Sequence, residues 1–154
     1  MRYRKVATGG TFDHIHAGHR RLLEESFRVG QEVVIGLTSD AFVSRLGKKP
    51  DYPYARRRAE LKKFVKKHFP RRKFVIAKLD DYFGPGIANP EMEALVASPE
   101  TSARLPLANK LRSEKGFPPL KLVAVDWIKA EDGLPISSTR IRRGEIDPEG
   151  KLAG

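Results

Sequence analysis

Short β-branched runs alternate with segments of helical period along this chain, and that alternation leaves few folds open. Lys5-Val6-Ala7-Thr8 reads as a strand ending in the pair Gly9-Gly10. Residues 17–29 then place Leu22, Leu23, Ser26 and Phe27 on one side of a helix, with Gly30 as its stop. Glu32 to Thr38 is β-branched and continuous, as a strand covered on both faces would be. Ser39 and Asp40 can cap a short helix through Arg45, Tyr54 to Phe69 is a longer helix stopped by Pro70, and Phe74–Ala77 is a third strand. Asp80 to Pro90, which holds Gly84-Pro85-Gly86, is expected to be a loop of functional length. After it come a strand at Ala94–Ala97, a helix from near Pro106 to Lys115, a strand at Leu120–Val125, and a last helix capped by Ser137 and running through Arg143. The βαβα order predicts an α/β protein built on a doubly wound parallel sheet, with ligands at the carboxyl ends of its strands.

The 154 residues suit one domain spanning 1–154, and 40% hydrophobic content is enough to fold it unaided. The absence of cysteine removes disulfides, thiolate zinc sites and thiol nucleophiles together. No run reaches eighteen apolar residues, and Met1 to Lys5 shows no signal-peptide pattern, so a cytoplasmic protein without a membrane partner is expected. The formal charge of +11 is concentrated: between Arg56 and Lys73, ten cations face one anion, Glu60. Such a block can bind nucleic acid or steer an anionic substrate, and helical phase separates the two readings. Leu61, Phe64, Val65 and His68 form the inward stripe, with His68 read as a core histidine, and Lys62, Lys63, Lys66 and Lys67 fall on the solvated face. Arg57, four residues before Leu61, turns inward at the ligand end of the sheet and is expected to contact substrate.

Chemistry is concentrated in two segments. Gly9-Gly10-Thr11-Phe12-Asp13-His14-Ile15-His16-Ala17-Gly18-His19 joins the first strand to the first helix. Its glycines let backbone approach a phosphate, and the helix start offers N–H groups and positive potential. No Gly-Lys-Ser/Thr follows and no G-x-G-x-x-G occurs, which excludes a Walker A loop and a dinucleotide fingerprint. What remains is a phosphate-binding turn in which His16 and His19, at i and i+3, can face one ligand. A zinc site on the three histidines ranks lower, because no second ligand cluster completes the coordination. His14 is read as structural or exposed. The second segment, Ile136-Ser137-Ser138-Thr139-Arg140-Ile141-Arg142, combines hydroxyls at a helix start with arginines one turn later, another anion site.

Together, H-x-G-H at His16–His19 and I-S-S-T-x-I-R at Ile136–Arg142 resemble the signatures of the nucleotidyltransferase superfamily. The finer similarity is to phosphopantetheine adenylyltransferases of the archaeal type, supported by Gly9–Asp13, Ile35–Asp40, Ser98–Thr101 and Asp132–Asp147. The resemblance implies a Rossmann-like nucleotidyltransferase fold. It implies transfer of the adenylyl group of ATP to 4′-phosphopantetheine with Mg²⁺, giving dephospho-CoA and pyrophosphate in coenzyme A biosynthesis. Carried onto these positions, Thr11 would orient the attacking phosphate, and His16 and His19 would hold the ATP phosphates, His19 being the main stabiliser of transition-state charge. Gly9, Gly10, Phe12, Gly18, Ser137, Ser138, Thr139 and Arg140 would lie at the nucleotide, and Lys48 and Arg57 at the phosphopantetheine phosphate. The Gly-Leu-Arg segment of the bacterial enzymes has no counterpart, and Tyr82-Phe83-Gly84-Pro85 stands as its replacement.

Two rivals remain at this level. One is another transferase of the superfamily, such as an FAD synthetase-like enzyme or a cytidylyltransferase, distinguished by the pocket that residues 36–57 and 80–90 make. The other is a basic nucleic-acid-binding protein, disfavoured because aromatic residues are sparse, at 8%, and do not interleave with the basic run.

Overall fold

The computed structural model describes residues 2–82, 84–126 and 128–153. Five strands, β1 (Tyr3–Gly10), β2 (Gly30–Thr38), β3 (Lys73–Leu79), β4 (Ala94–Ala97) and β5 (Lys121–Ala124), form one parallel sheet in the order β3-β2-β1-β4-β5. The chain leaves central β1 toward β2 and β3, then returns to its other side as β4 and β5. That reversal opens a crevice at the strand carboxyl ends, the place where doubly wound sheets bind ligands. The helices are α1 (Ala17–Val29), α2 (Asp40–Arg45), α3 (Tyr54–His68), α4 (Gly84–Ala88), α5 (Pro99–Ser102), α6 (Leu105–Glu114) and α7 (Ser138–Arg142). Among the described residues, no helix is long and apolar enough to cross a membrane.

Side-chain alternation along β2 explains the two layers. Val33, Ile35 and Leu37 join Leu23 and Phe27 of α1 and Leu61 and Val65 of α3 in one core. Val34 turns to the opposite face, with Met92 and Leu120. Each such fully buried aliphatic side chain contributes roughly 1.5–3 kcal/mol, so truncating Leu23 or Leu61 would cost stability directly.

Three expectations shift in detail. β1 continues through the glycine pair, because Gly9 and Gly10 pair with Gly36 and Leu37 in register. A Cβ on Gly9 would meet Gly36 O at 3.1 Å, a tight contact, so the close approach of these backbones favours glycine. Gly30 caps α1 as expected and at once opens β2, and a Cβ there would lie 2.6 Å from Val6 Cγ2. On α3 the four lysines are exposed as predicted, but His68 is exposed too, its ring 4.2 Å from that of Phe64. The helix ends at His68, and Phe69 takes the inward position by stacking on Phe27 at 4.6 Å.

The 80–90 segment is not wholly loop: Gly84–Ala88 forms α4. Phe83 lies outside the described residues.

Candidate active site

The crevice holds a cleft of about 500 Å³ whose walls come from the ends of β1, β2, β4 and β5 and from both anion-binding segments. Gly9, Gly10, Thr11, Phe12, His16, Gly18 and His19 line it from the first segment, and Ser137, Ser138, Thr139 and Arg142 from the second. Lys48 reaches it from the loop after α2.

The first segment is built by its own histidines. His16 caps α1: its Nδ1 accepts from Gly18 N at 3.0 Å, while His16 N donates to His19 Nδ1 at 3.3 Å. Ala17 N is bound to Pro148 O at 3.0 Å, so N–H groups expected to be free for phosphate are partly used within the chain. The imidazoles take over the ligand-facing role. Their rings stack with centroids 3.8 Å apart, and Phe12 packs on His19 at 4.7 Å. The bond from Gly18 N places the proton of a neutral His16 on Nε2. Burial lowers the His16 pKa to about 4, with His14 adding to the effect. Burial likewise holds His19 well below the usual histidine range, reinforced by His16 and opposed by a hydrogen bond with the His14 backbone. Both rings are therefore neutral at pH 7 in the free cleft.

Phe12 adopts φ of 49°, in the left-handed region, and its ring is 1% exposed. Packing on a fully buried ring maintains this conformation, a strain that turns the loop back over the strand ends. Thr11 Oγ1 accepts from Thr38 Oγ1 at 3.1 Å, which orients the hydroxyl at the cleft.

In the second segment Ser137 caps α7 by accepting from Arg140 N at 3.2 Å, and Ser138 Oγ donates to His14 O at 3.4 Å. The two arginines divide their work. Arg140, expected at the nucleotide, is not on the cleft wall: it donates to Asp132 Oδ1 at 3.2 Å and to Glu145 Oε2 at 2.9 Å, bracing the loop around α7. Arg142 instead reaches the cleft, donating to Asp13 Oδ2 at 2.9 Å and to Thr139 Oγ1 at 3.1 Å.

Arg57 also departs from expectation. It does face inward, but its side chain is 0% exposed and stops short of the cleft wall. Its Nε donates to Tyr52 O at 3.0 Å, and its Nη1 to Thr11 O at 3.0 Å and Thr38 O at 2.9 Å. Its Nη2 pairs with Asp40 Oδ1 at 2.9 Å. The guanidinium satisfies carbonyls at the strand ends and so holds Thr11 from behind, rather than meeting substrate.

His14 is structural. Its Nε2 lies 2.6 Å from Asp51 Oδ2, and with Asp13 the three form a group close enough for a metal ion. The Asp13 carboxylate, however, already accepts from Asp51 N, Tyr52 N and Arg142. The cluster acts as a clasp between loops.

The remaining wall was anticipated only where residues 80–90 supply it, at Tyr82 and Ile87. Leu79, Ile87, Leu95, Leu105, Ala108 and Leu120 give the cleft an apolar arm beside α6. At its rim the Arg104 guanidinium lies 3.3 Å over the Tyr82 ring. Leu79 and Leu95 lie on strands, Leu120 just before β5, Ile87 on the five-residue α4, and Leu105 and Ala108 on α6, so no single helical period marks the arm in the sequence.

Residues 7–144 match the cytidylyltransferase-like family. The phosphopantetheine adenylyltransferase of Methanothermobacter thermautotrophicus is 43% identical over 151 residues, covering 98% of this chain and 90% of that protein. That of Methanopyrus kandleri is 42% identical over 146 residues, covering 95% and 92%. Among solved structures, a protein of unknown function from Archaeoglobus fulgidus is similar with a TM-score of 0.69 and 32% identity, covering 80% of this chain and 98% of that one.

Proposed function

The chain belongs to the cytidylyltransferase-like family, among the phosphopantetheine adenylyltransferases, and on that premise we propose that its cleft joins MgATP to 4′-phosphopantetheine. The products are dephospho-CoA and pyrophosphate, a step of coenzyme A biosynthesis taking place in the cytoplasm. The observation that carries the reading is the meeting of two remote anion-binding segments, 9–19 and 137–142, with Lys48 on one cleft at the sheet's reversal point.

The acceptor is a phosphate monoester with a second pKa of about 6, so at pH 7 it is largely dianionic and needs no general base. One of its oxygens attacks the α-phosphorus of ATP. The new P–O bond forms as the bond to the β-phosphate oxygen breaks, and pyrophosphate leaves with that electron pair. Such a reaction calls for in-line placement and for positive potential around the α-phosphate and the leaving group. In this reading Thr11 orients the attacking phosphate and Lys48 neutralises it. His16 and His19 donate hydrogen bonds to the ATP phosphates, His19 most strongly as charge develops. Ser137, Ser138, Thr139 and Arg142 serve the nucleotide, and Gly9, Gly10 and Gly18 keep the backbone close to it. The apolar arm suits the pantetheine chain.

Mg²⁺ enters with ATP. Among the described residues Asp126 is the only carboxylate on the cleft wall, a donor set that fits an ion carried by the triphosphate better than one held by side chains.

The test is turnover of the purified protein with MgATP and, separately, 4′-phosphopantetheine, FMN or glycerol 3-phosphate, followed by pyrophosphate release and mass spectrometry. Adenylylated product with phosphopantetheine alone is expected. Turnover with FMN or glycerol 3-phosphate only would overturn the acceptor assignment while retaining the chemistry.

A further inference from the structure

We infer that Thr8, on the cleft floor, is a further nucleotide-binding residue, its hydroxyl turning into the cleft to pair with the nucleoside part of ATP when the nucleotide binds. This rests on the reading of ATP as the cleft's donor substrate. Thr8 lies on β1, is 3% exposed and forms part of the cleft wall. Its Oγ1 is fully buried and has no hydrogen-bond partner among the described residues. A buried hydroxyl without a partner destabilises the free protein, and nearly all such groups in folded chains are paired. The fold itself does not call for one here, since the neighbours on the same face, Val6 of β1 and Val33 and Ile35 of β2, are apolar. Valine, of the same shape, would serve the strand at least as well. That leaves the hydroxyl for something that enters the cleft.

Its face identifies the substrate. Thr8 is in register with Ile35 and shares the side of Val6, the face packed by α1. On that side α1 brings His19 and Leu22 to the cleft wall, and β5 leads into Val125. The apolar arm assigned to the acceptor opens on the opposite face, where Ala7, Val34 and Leu95 lie. Arg20 Nε is also buried without a partner, but its Nη2 reaches Glu149 and it does not line the cleft.

The experiment compares wild type with Thr8→Val and Thr8→Ser. It reads the melting temperature without ligand, the affinity for Mg²⁺ and α,β-methylene-ATP by calorimetry, and KM for both substrates. Thr8→Val is expected to melt at or above the wild-type temperature while binding the ATP analogue about 2- to 12-fold more weakly, with KM for phosphopantetheine unchanged. Thr8→Ser, which keeps the hydroxyl, is expected to bind the analogue like wild type. Unchanged analogue affinity in Thr8→Val, or a change confined to KM for phosphopantetheine, would overturn the inference. A wild-type protein that binds the analogue but does not turn over phosphopantetheine would instead overturn the acceptor assignment, and the comparison of affinities would still decide the role of Thr8.

Discussion

Arg142 Nη1 donates to Asp13 Oδ2 at 2.9 Å, joining the last helix to the phosphate-binding loop across 129 residues of sequence. The same carboxylate accepts from Asp51 N and Tyr52 N, each at 3.0 Å. One buried side chain thus fixes the mutual positions of the His16–His19 loop, the loop that follows Lys48, and the helix that carries Ser138 and Thr139.

Replacing Asp13 by alanine strands an arginine and two backbone N–H groups at a buried point. We expect a loss of about 3–5 kcal/mol of stability, read from the denaturant midpoint at constant m. A loss within about 0.5 kcal/mol of zero would mean that the clasp is not structural.

Arg57 and Lys48 are expected to fail in different ways. Arg57→Ala removes donors to Tyr52 O, Thr11 O and Thr38 O, so it should lower stability by several kcal/mol. Lys48 is exposed on the cleft rim, and Lys48→Ala should keep the melting temperature while raising KM for phosphopantetheine about tenfold or more. Steady-state kinetics beside thermal melts distinguish the two; a stable Arg57→Ala with a selective acceptor defect would contradict the assignment.

Gly18 is constrained by the ring it faces. A Cβ there would lie 2.8 Å from His16 Cε1, so Gly18→Ala should push His16 off its stack with His19. The expected result is a kcat at least about tenfold lower in a protein that still folds, since misplaced catalytic groups are costly in rate. Wild-type kcat in this variant would show that the His16 position is not needed.

The buried histidines tie stability to pH. His16 titrates at about 4 when folded against an ordinary value of 6.5, and His19 is also depressed. Between those values the unfolded chain binds more protons, so stability is complete above about pH 6.5 and is lost as pH falls toward and through 4, by at most about 1.4 kcal/mol per pH unit and histidine. Chemical denaturation across pH 7 to 4 should show a shallower loss in a His16→Asn, His19→Asn variant than in wild type. Parallel profiles would mean that neither histidine is buried neutral.

Much of this was legible from the chain. The strands and longer helices follow from β-branched runs and helical phase, and Ser39 and Ser137 do cap helices as their types suggest. Both anion-binding segments were evident because their residue types and spacing are local. Depth was not legible: phase turned Arg57 inward, but only the packed structure shows that carbonyls of three other segments absorb it. Nor was the choice between Arg140 and Arg142, which depends on where Asp132, Glu145 and the distant Asp13 lie. The aspartate immediately before the histidine cluster was the signal that could have pointed to the clasp.

On the proposed function the adenylyl group passes directly, the acceptor phosphate attacking ATP in line with no bond to the protein. The stereochemical course at phosphorus tests it: the wild-type enzyme is given (Sp)-ATPαS and 4′-phosphopantetheine, and the configuration of the thiophosphoryl product is determined. Inversion at the α-phosphorus is the predicted result. Retention would reveal two successive displacements through a covalent adenylyl-enzyme, and would contradict the roles given to Thr11, His16 and His19.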